Sequence, residues 1–153
     1  MAPAQDTVMH GEGRAAFLPD YLGAHHLLAQ DFRDRVENER GITPAQMLEA
    51  YALADRLRPV FDGLFGADLD VVLTPASTGE APVGLYNAGN HVFNKIWKLL
   101  HVPCVAIPAG RGPTGLPVGL QAVGPRFGDA ALLAAAKAMA PAIDIVPLTP
   151  VAA

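Results

Sequence analysis

The amino-acid sequence predicts an α/β fold in which four to five helices surround a small mixed β-sheet of about three strands. Segments with the helical spacing of apolar residues come first, and short apolar segments bounded by Gly, Pro or Asp follow. Because 51% of the 153 residues are hydrophobic, the chain can bury a core. Three strands covered on both faces form a thin sheet, so the pattern also suggests a piece of a larger one.

The N-terminal region divides into an arm and a helix. Residues 1–14 are polar and lack apolar periodicity, which predicts a loose arm ahead of a structured segment over 15–153. From Phe17 to Arg40 apolar residues recur at steps of three and four, the pattern of one amphipathic helix. Arg40 followed by Gly41 predicts the end of that helix, since a cation is favourable near the last carbonyls and glycine adopts left-handed geometry.

The next helix carries a start signal. Thr43 supplies a hydroxyl cap, Pro44 suits the first helical position, and Gln46 completes a capping box three residues after the cap. Pro59 lies further along the same apolar pattern and is expected to kink or restart the helix, because proline removes a backbone donor.

Three strands and two helices are predicted beyond this point. The strands are the apolar segments at 69–75, 103–110 and 114–124, and the helices lie at 88–101 and 128–140. The first strand is expected to be buried on both faces. A strand, a helix, a strand and a tight return predict that the first two strands pair in parallel and that the third lies beside them.

Composition excludes several classes of function. The formal charge is −4 and the 11 basic residues are scattered, so no positive surface for nucleic acid is expected. No apolar run approaches the roughly 18 residues of a membrane span, and the N-terminus lacks a signal peptide. The single cysteine, Cys104, allows no internal disulfide. We therefore expect a cytoplasmic protein without membrane or nucleic-acid partners.

Neither a cofactor nor a metal is predicted. Gly11, Gly13 and Ala16 formally match a dinucleotide fingerprint, but that motif requires a strand directly before it. His25 and His26 are adjacent, so a helix would point them to different sides and they would not share one metal ion. His25 lies on the apolar stripe and is predicted to be a hydrogen-bonded core residue.

Other candidates for chemistry have ordinary alternatives. Ser77 is the one serine in the chain, but Pro-Ala-Ser-Thr-Gly is not the Gly-x-Ser-x-Gly elbow of hydrolases, so a turn role is predicted. Cys104 follows a proline within a strand, which predicts a buried small hydrophobe. His91, Lys95 and Lys98 share one helix face, which is either solvated or part of a polar pocket.

Two segments resemble the C-terminal end of the amidase signature family. They are DVVLTPASTGEAP at 70–82 and FNKIWKLLHVPCVAIPAGRGPTGLPVGLQAVGPRFGDAALLAAA at 93–136. The shared features are a strand ending in Leu-Thr-Pro, a helix starting near a Phe, a Pro-Ala turn, a Gly-Leu-Pro-x-Gly-x-Gln strand and an acid-led helix. The resemblance implies an amidase-signature fold and amide-bond hydrolysis by two serines and a lysine.

The resemblance transfers no catalytic residue to this chain. The family carries the two serines and the lysine in its N-terminal half, whereas this sequence has Ser77 alone, and Lys95, Lys98 and Lys137 match no catalytic position. The chain also departs from the family at Lys98, where many members have Asn, and at His101, where most have Gly.

The resemblance does imply a role in the substrate pocket. Thr74 and Pro75, at the end of the first strand, and Phe93 and Trp97, in the following helix, would wall the acyl side of that pocket. We therefore expect the C-terminal part of an amidase, inactive alone, whose partner is a separately encoded N-terminal half or a second copy of the chain. The alternative is a non-catalytic binding or regulatory module derived from the same fold.

Overall fold

The computed structural model describes residues 1–143, and the α/β class is confirmed. The described residues form six α-helices, one 3-10 helix and three strands. The α-helices are α1 (Ala2–Ala16), α2 (Leu18–Ala24), α3 (Gln30–Glu37), α4 (Pro44–Asp62), α5 (Lys95–Leu100) and α6 (Asp129–Ile143). The 3-10 helix is His25–Leu27, and the strands are β1 (Val72–Pro75), β2 (Cys104–Arg111) and β3 (Pro117–Val123). Residues 144–153, the end of the segment predicted at 15–153, lie outside the described residues.

The chain forms two compact units, and the division falls within α4, between Leu57 and Arg58. In the first unit, the loose arm predicted at 1–14 is wrong, because residues 2–14 belong to α1. Packing explains the helix better than its own periodicity does: Gln5 is buried, and a Cβ on Gly11 would collide with the Met47 sulfur.

The single helix predicted from Phe17 to Arg40 is also wrong, because the chain is extended at Leu28 and at Ala29, before α3 begins. The break is stabilised by Arg33, whose guanidinium donates to the carbonyls of Leu28 (2.7 Å) and His25 (3.2 Å). These bonds satisfy carbonyls that a continuous helix would have used itself.

The end of α3 lies earlier than the sequence indicates. Asn38 takes the left-handed conformation with φ of 57°, and its side-chain amide bonds the backbone of Ile42 in both directions, at 2.9 and 3.1 Å. Asparagine tolerates this conformation better than most residues, so it replaces the predicted Arg40–Gly41 end.

The capping box of α4 is confirmed. The Thr43 backbone N–H donates to Gln46 Oε1 at 2.8 Å, and the Gln46 N–H donates to Thr43 Oγ1 at 3.3 Å. The helix continues past Pro59 to Asp62 as one element, so the predicted restart at Pro59 does not occur.

In the second unit the sheet has the order β1-β3-β2, and both pairings are antiparallel. The predicted mixed sheet with a parallel pair is therefore wrong, because β1 and β2 do not pair with each other. β1 and β2 do run in the same direction, but β3 returns through a hairpin and lies between them. Pro75 and Pro108 both fall in the outer strands, where a missing backbone donor is tolerated.

The core of the second unit lies between the sheet and α6. Ile107 and Ala122 from the sheet meet Leu132 and Ala136 from the helix, and all four are buried. β1 is not buried on both faces, since burial alternates along it and Leu73 is 46% exposed. Its position at the edge of the sheet explains the difference.

Candidate functional site

The four residues predicted to wall a substrate pocket lie at the end of β1 and around α5. Thr74 and Pro75 close the strand, Phe93 precedes the helix, and Trp97 lies within it. Trp97 is 8% exposed and packs against Phe61 with ring centroids 5.6 Å apart. The Trp97 indole N–H and the Thr74 hydroxyl are buried without a hydrogen-bond partner within residues 1–143. Trp97 thus belongs to the core, and contact of these residues with substrate stays a prediction.

An open cavity of about 410 Å³ lies between the loop after β1 and the segment before α5. It is lined by residues 77–82 and 88–91 together with Asn94 and Pro117. None of the four predicted wall residues lines it. The cavity is therefore formed by the loops that adjoin the predicted wall.

The cavity lining is mostly uncharged. Hydroxyl and amide groups come from Ser77, Thr78, Asn90 and Asn94, and the ionisable groups are Glu80 and His91. Hydroxyl and amide side chains both donate and accept hydrogen bonds, so the arrangement suits a neutral polar ligand such as an amide.

Glu80 does not present a free charge to this cavity, because its carboxylate is occupied by the turn between β2 and β3. It accepts hydrogen bonds from the Thr114 N–H (3.0 Å to each oxygen), the Thr114 hydroxyl (2.9 Å) and the Leu116 N–H (2.8 Å). Desolvation acts to raise the pKa of Glu80, but these hydrogen bonds outweigh it and lower the pKa below its ordinary value. Sequence reasoning missed Glu80, since its partners lie 34 and 36 residues along the chain.

Ser77 uses its hydroxyl within its own turn. Its Oγ donates to the Gly79 carbonyl at 2.5 Å and accepts from the Gly79 N–H at 3.4 Å. This pattern is typical of a serine that stabilises a tight turn, as the sequence predicts. The hydroxyl hydrogen is directed at a carbonyl of the turn, whereas a nucleophilic serine directs it at a base.

The sequence allows two interpretations of the helix face that carries His91, Lys95 and Lys98, namely a solvated face or part of a polar pocket. His91 lines the cavity, while Lys98 is exposed and outside the lining. Asn94, between them, donates from its side chain to the Ala76 carbonyl at 3.0 Å and so ties the cavity loop to the start of α5. The face is therefore divided between pocket and solvent.

His101 ends α5 in a left-handed conformation with φ of 57°, where glycine would be unstrained. Arg58 donates from Nε (3.2 Å) and Nη2 (3.0 Å) to the Leu99 carbonyl, and its Nη2 lies 3.0 Å from His101 Nε2. A guanidinium only donates, so the ring nitrogen facing it is the unprotonated acceptor. Arg58 caps the helix and holds His101 in place.

Two predictions about titratable side chains are wrong. Cys104 is exposed, because β2 is an outer strand and its alternate residues are uncovered; desolvation by its neighbours raises the pKa of the thiol. His25 is also exposed, and its ring meets Tyr21 edge to face at 4.7 Å instead of entering a core.

Residues 1–143 carry neither a metal-ligand cluster nor a membrane-spanning helix. No three His, Cys, Asp or Glu side chains there are grouped as metal ligands would be. In the same part of the chain, no helix combines the length and apolarity needed to cross a bilayer.

Comparison with known sequences places most of this chain within one family. The sequence model described as Amidase matches residues 25–133. A glutamyl-tRNA(Gln) amidotransferase subunit from Mesorhizobium japonicum is 33% identical over 103 residues, covering 60% of this chain and 19% of the relative. The corresponding protein from Jannaschia sp. is 36% identical over 109 residues, covering 63% and 22%.

Solved structures share the fold at lower identity. A chain from a study of a vestigial protein complex and the origins of an s-triazine catabolic enzyme matches with a TM-score of 0.73 and 22% identity, over 92% of this chain and 34% of that one. A structure of an amidase gives a TM-score of 0.68 and 21% identity, over 93% and 35%. The chain thus spans about a fifth of the curated relatives and a third of these structures.

Proposed function

Because the chain belongs to the amidase family, we propose that it forms the C-terminal part of an enzyme that hydrolyses carbon–nitrogen amide bonds. In this proposal it supplies part of the sheet and a wall of the substrate pocket. The nucleophilic serine, the second serine and the lysine belong to the portion of the fold that these 153 residues lack. We further propose that this part acts in the cytoplasm.

One observation carries the proposal: the family match coexists with a single serine that is already engaged by Gly79. A two-serine mechanism cannot be assembled from Ser77 alone. The share of the fold neighbours that the chain covers, about a third, is consistent with the catalytic groups lying elsewhere.

Exposed apolar side chains and unpaired strand edges support the proposal that a further protein segment packs against this chain. Val83 and Leu85 are 98% and 99% exposed, and Tyr86 is exposed beside them. Both outer strands, β1 and β2, also have edges that pair with no strand of the described sheet. Unpaired strand edges and clustered apolar side chains are surfaces that other chain segments usually cover.

The proposal is tested by assaying the purified chain on p-nitroacetanilide, benzamide and glutamine. We expect no turnover by the chain alone, and turnover when it is co-expressed with a chain carrying the family's Gly-Ser-Ser-Gly segment and lysine. Hydrolysis by the isolated chain that Ser77→Ala abolishes would overturn the proposal. Thr7→Ala, which removes a hydroxyl on α1 outside the cavity, is the matched control.

A non-catalytic binding module is the alternative, and the observation that favours it is the cavity itself. The cavity lined by residues 77–82 and 88–91, with Asn94 and Pro117, is formed within this chain, without help from a catalytic half. Benzamide binding by the isolated chain, together with no gain of turnover in any co-expression, would favour the module over the enzyme part.

A further inference from the structure

We propose that Glu80 is a positioning residue that sets the shape of the substrate cavity by fixing the loop after β1 to the turn between β2 and β3. This inference rests on the proposed function, and it takes the cavity beside the predicted wall as part of the pocket that receives the amide. It concerns a residue whose role is neither catalytic nor predictable from a local motif.

Both oxygens of the Glu80 carboxylate accept hydrogen bonds from the turn. Three donors of the turn, namely the Thr114 N–H, the Thr114 hydroxyl and the Leu116 N–H, all point at one carboxylate, over distances of 2.8 to 3.0 Å. A carboxylate accepts at both oxygens and donates nothing, so it matches a site made only of donors. Glutamine would turn its NH₂ group toward one of these donors.

The turn is shaped to receive this side chain. A Cβ on Gly112 would overlap Glu80 Cγ, Cδ and Oε1, so the close approach requires glycine at that position. The turn is also stiffened internally, since Arg111 Nη1 donates to the Gly115 carbonyl at 2.7 Å and the Gly112 N–H donates to the Leu116 carbonyl at 2.9 Å. Glu80 is therefore held by a rigid partner.

The cavity depends on the loop held in this way. Residues 77–82 contribute to its lining, and so does Pro117, the first residue of β3 after the turn. The loop is fixed at Ala76 by the Asn94 side chain and at Glu80 by the turn. The three residues from Ser77 to Gly79 thus lie between two anchors, and releasing Glu80 leaves one.

The first experiment measures amide hydrogen exchange in the chain alone. In Glu80→Gln we expect exchange at Thr114 and Leu116 to accelerate by about tenfold, because a hydrogen bond to a charged group is lost. Glu39→Gln, an exposed glutamate outside the cavity, is the control for charge. Unchanged exchange at both amides in Glu80→Gln would overturn the inference.

A double-variant cycle tests direct contact. Gly112→Ala should accelerate the same exchange in the wild-type background, because the new Cβ displaces the carboxylate. In a Glu80→Ala background, Gly112→Ala should add nothing further. Additive effects of the two substitutions would contradict the contact.

The positioning role is then measured in the co-expressed enzyme with p-nitroacetanilide. We expect Glu80→Gln to raise KM by about tenfold and to leave kcat within a factor of about two, since the cavity is misshapen while the catalytic groups are untouched. Wild-type turnover with an unchanged KM in Glu80→Gln overturns this inference alone. Absence of turnover with the wild-type chain overturns the proposed function and the positioning role with it, whereas the exchange measurement still reports the contact.

Discussion

At the scale of single residues, the strained conformation of His101 has a measurable cost. A non-glycine residue with φ of 57° loses roughly 1 kcal/mol to steric contact with its own backbone. The residue persists because Arg58 reaches both the Leu99 carbonyl and the imidazole. At this position, therefore, the strained backbone destabilises the folded state and the contact with Arg58 stabilises it.

These two effects can be separated by a pair of substitutions. His101→Ala keeps the strain and loses the imidazole contact, whereas His101→Gly loses both. We expect His101→Gly to exceed His101→Ala in free energy of unfolding by about 1 kcal/mol, measured by urea denaturation. Equal stabilities would show that the left-handed conformation is not strained there.

At the scale of elements, the end of α4 is joined to the segment between β3 and α6 by an ion pair. Asp62 Oδ2 lies 2.7 Å from Arg126 Nε, and Asp62 Oδ1 accepts from the Arg126 N–H at 3.0 Å. Desolvation acts to raise the pKa of Asp62, but the hydrogen bonds and charge of Arg126 outweigh it and lower the pKa below 3.8. Both side chains are 27% exposed, so the pair is only partly screened.

The lowered pKa fixes the direction of the pH dependence. Because the folded pKa lies below the unfolded one, the pair stabilises the protein above the ordinary aspartate pKa of 3.8, and that stability is lost as pH falls through the folded pKa. We expect Asp62→Asn to lower the free energy of unfolding by about 1 kcal/mol at neutral pH. The difference from wild type should shrink below pH 3.8.

Urea denaturation at a series of pH values checks this expectation. Asp68→Asn, at an exposed aspartate of the same region, is the control and should show a much smaller effect at neutral pH. A stability difference for Asp62→Asn that persists unchanged to acid pH would contradict the role of the pair.

The elements also show why some features of the fold could be predicted and others could not. The capping box at Thr43 and Gln46 is decided by neighbours within one turn, so the sequence alone predicts it. The break at Leu28 depends on Arg33 reaching back to two carbonyls, and the α1 helix depends on packing, so periodicity misjudges both. The position of β3 between β1 and β2 follows from long-range pairing that strand-by-strand patterns do not encode.

The candidate site also combines features that the sequence predicts with features that it does not. The turn role of Ser77 was predictable because its partner, Gly79, is two residues away. The contact of Glu80 with Thr114 crosses from one loop to another, and the cavity it supports lies on loops flanking the residues that the family resemblance singled out. Family motifs point to this region, whereas only the tertiary structure shows the contact that we propose to support the cavity.

At the scale of the whole molecule, the exposed apolar loop predicts self-association of the isolated chain. Leu85 and Tyr86 project from the loop with their side chains almost entirely in solvent. Apolar surface of this kind is stabilised by contact with another copy of the chain. We expect the sedimentation coefficient of the purified chain to rise with protein concentration.

Substitution of the loop identifies the surface responsible. Leu85→Ser combined with Tyr86→Ser should weaken the concentration dependence, while Asn87→Ser, a polar change in the same loop, should not. A monomer at all concentrations, with a sharp cooperative melt, would contradict the prediction.

The bond between Glu80 and the β2–β3 turn also restricts how this protein can change over evolution. Thr114 and Leu116 meet the carboxylate only because the turn has its present length, so one inserted or deleted residue would carry both donors away together. Hairpin turns are usually where insertions accumulate most freely. Among relatives of this chain, we expect the turn to keep a constant length wherever the glutamate and the glycine at position 112 occur together. Where either residue is lost, the length of the turn should vary.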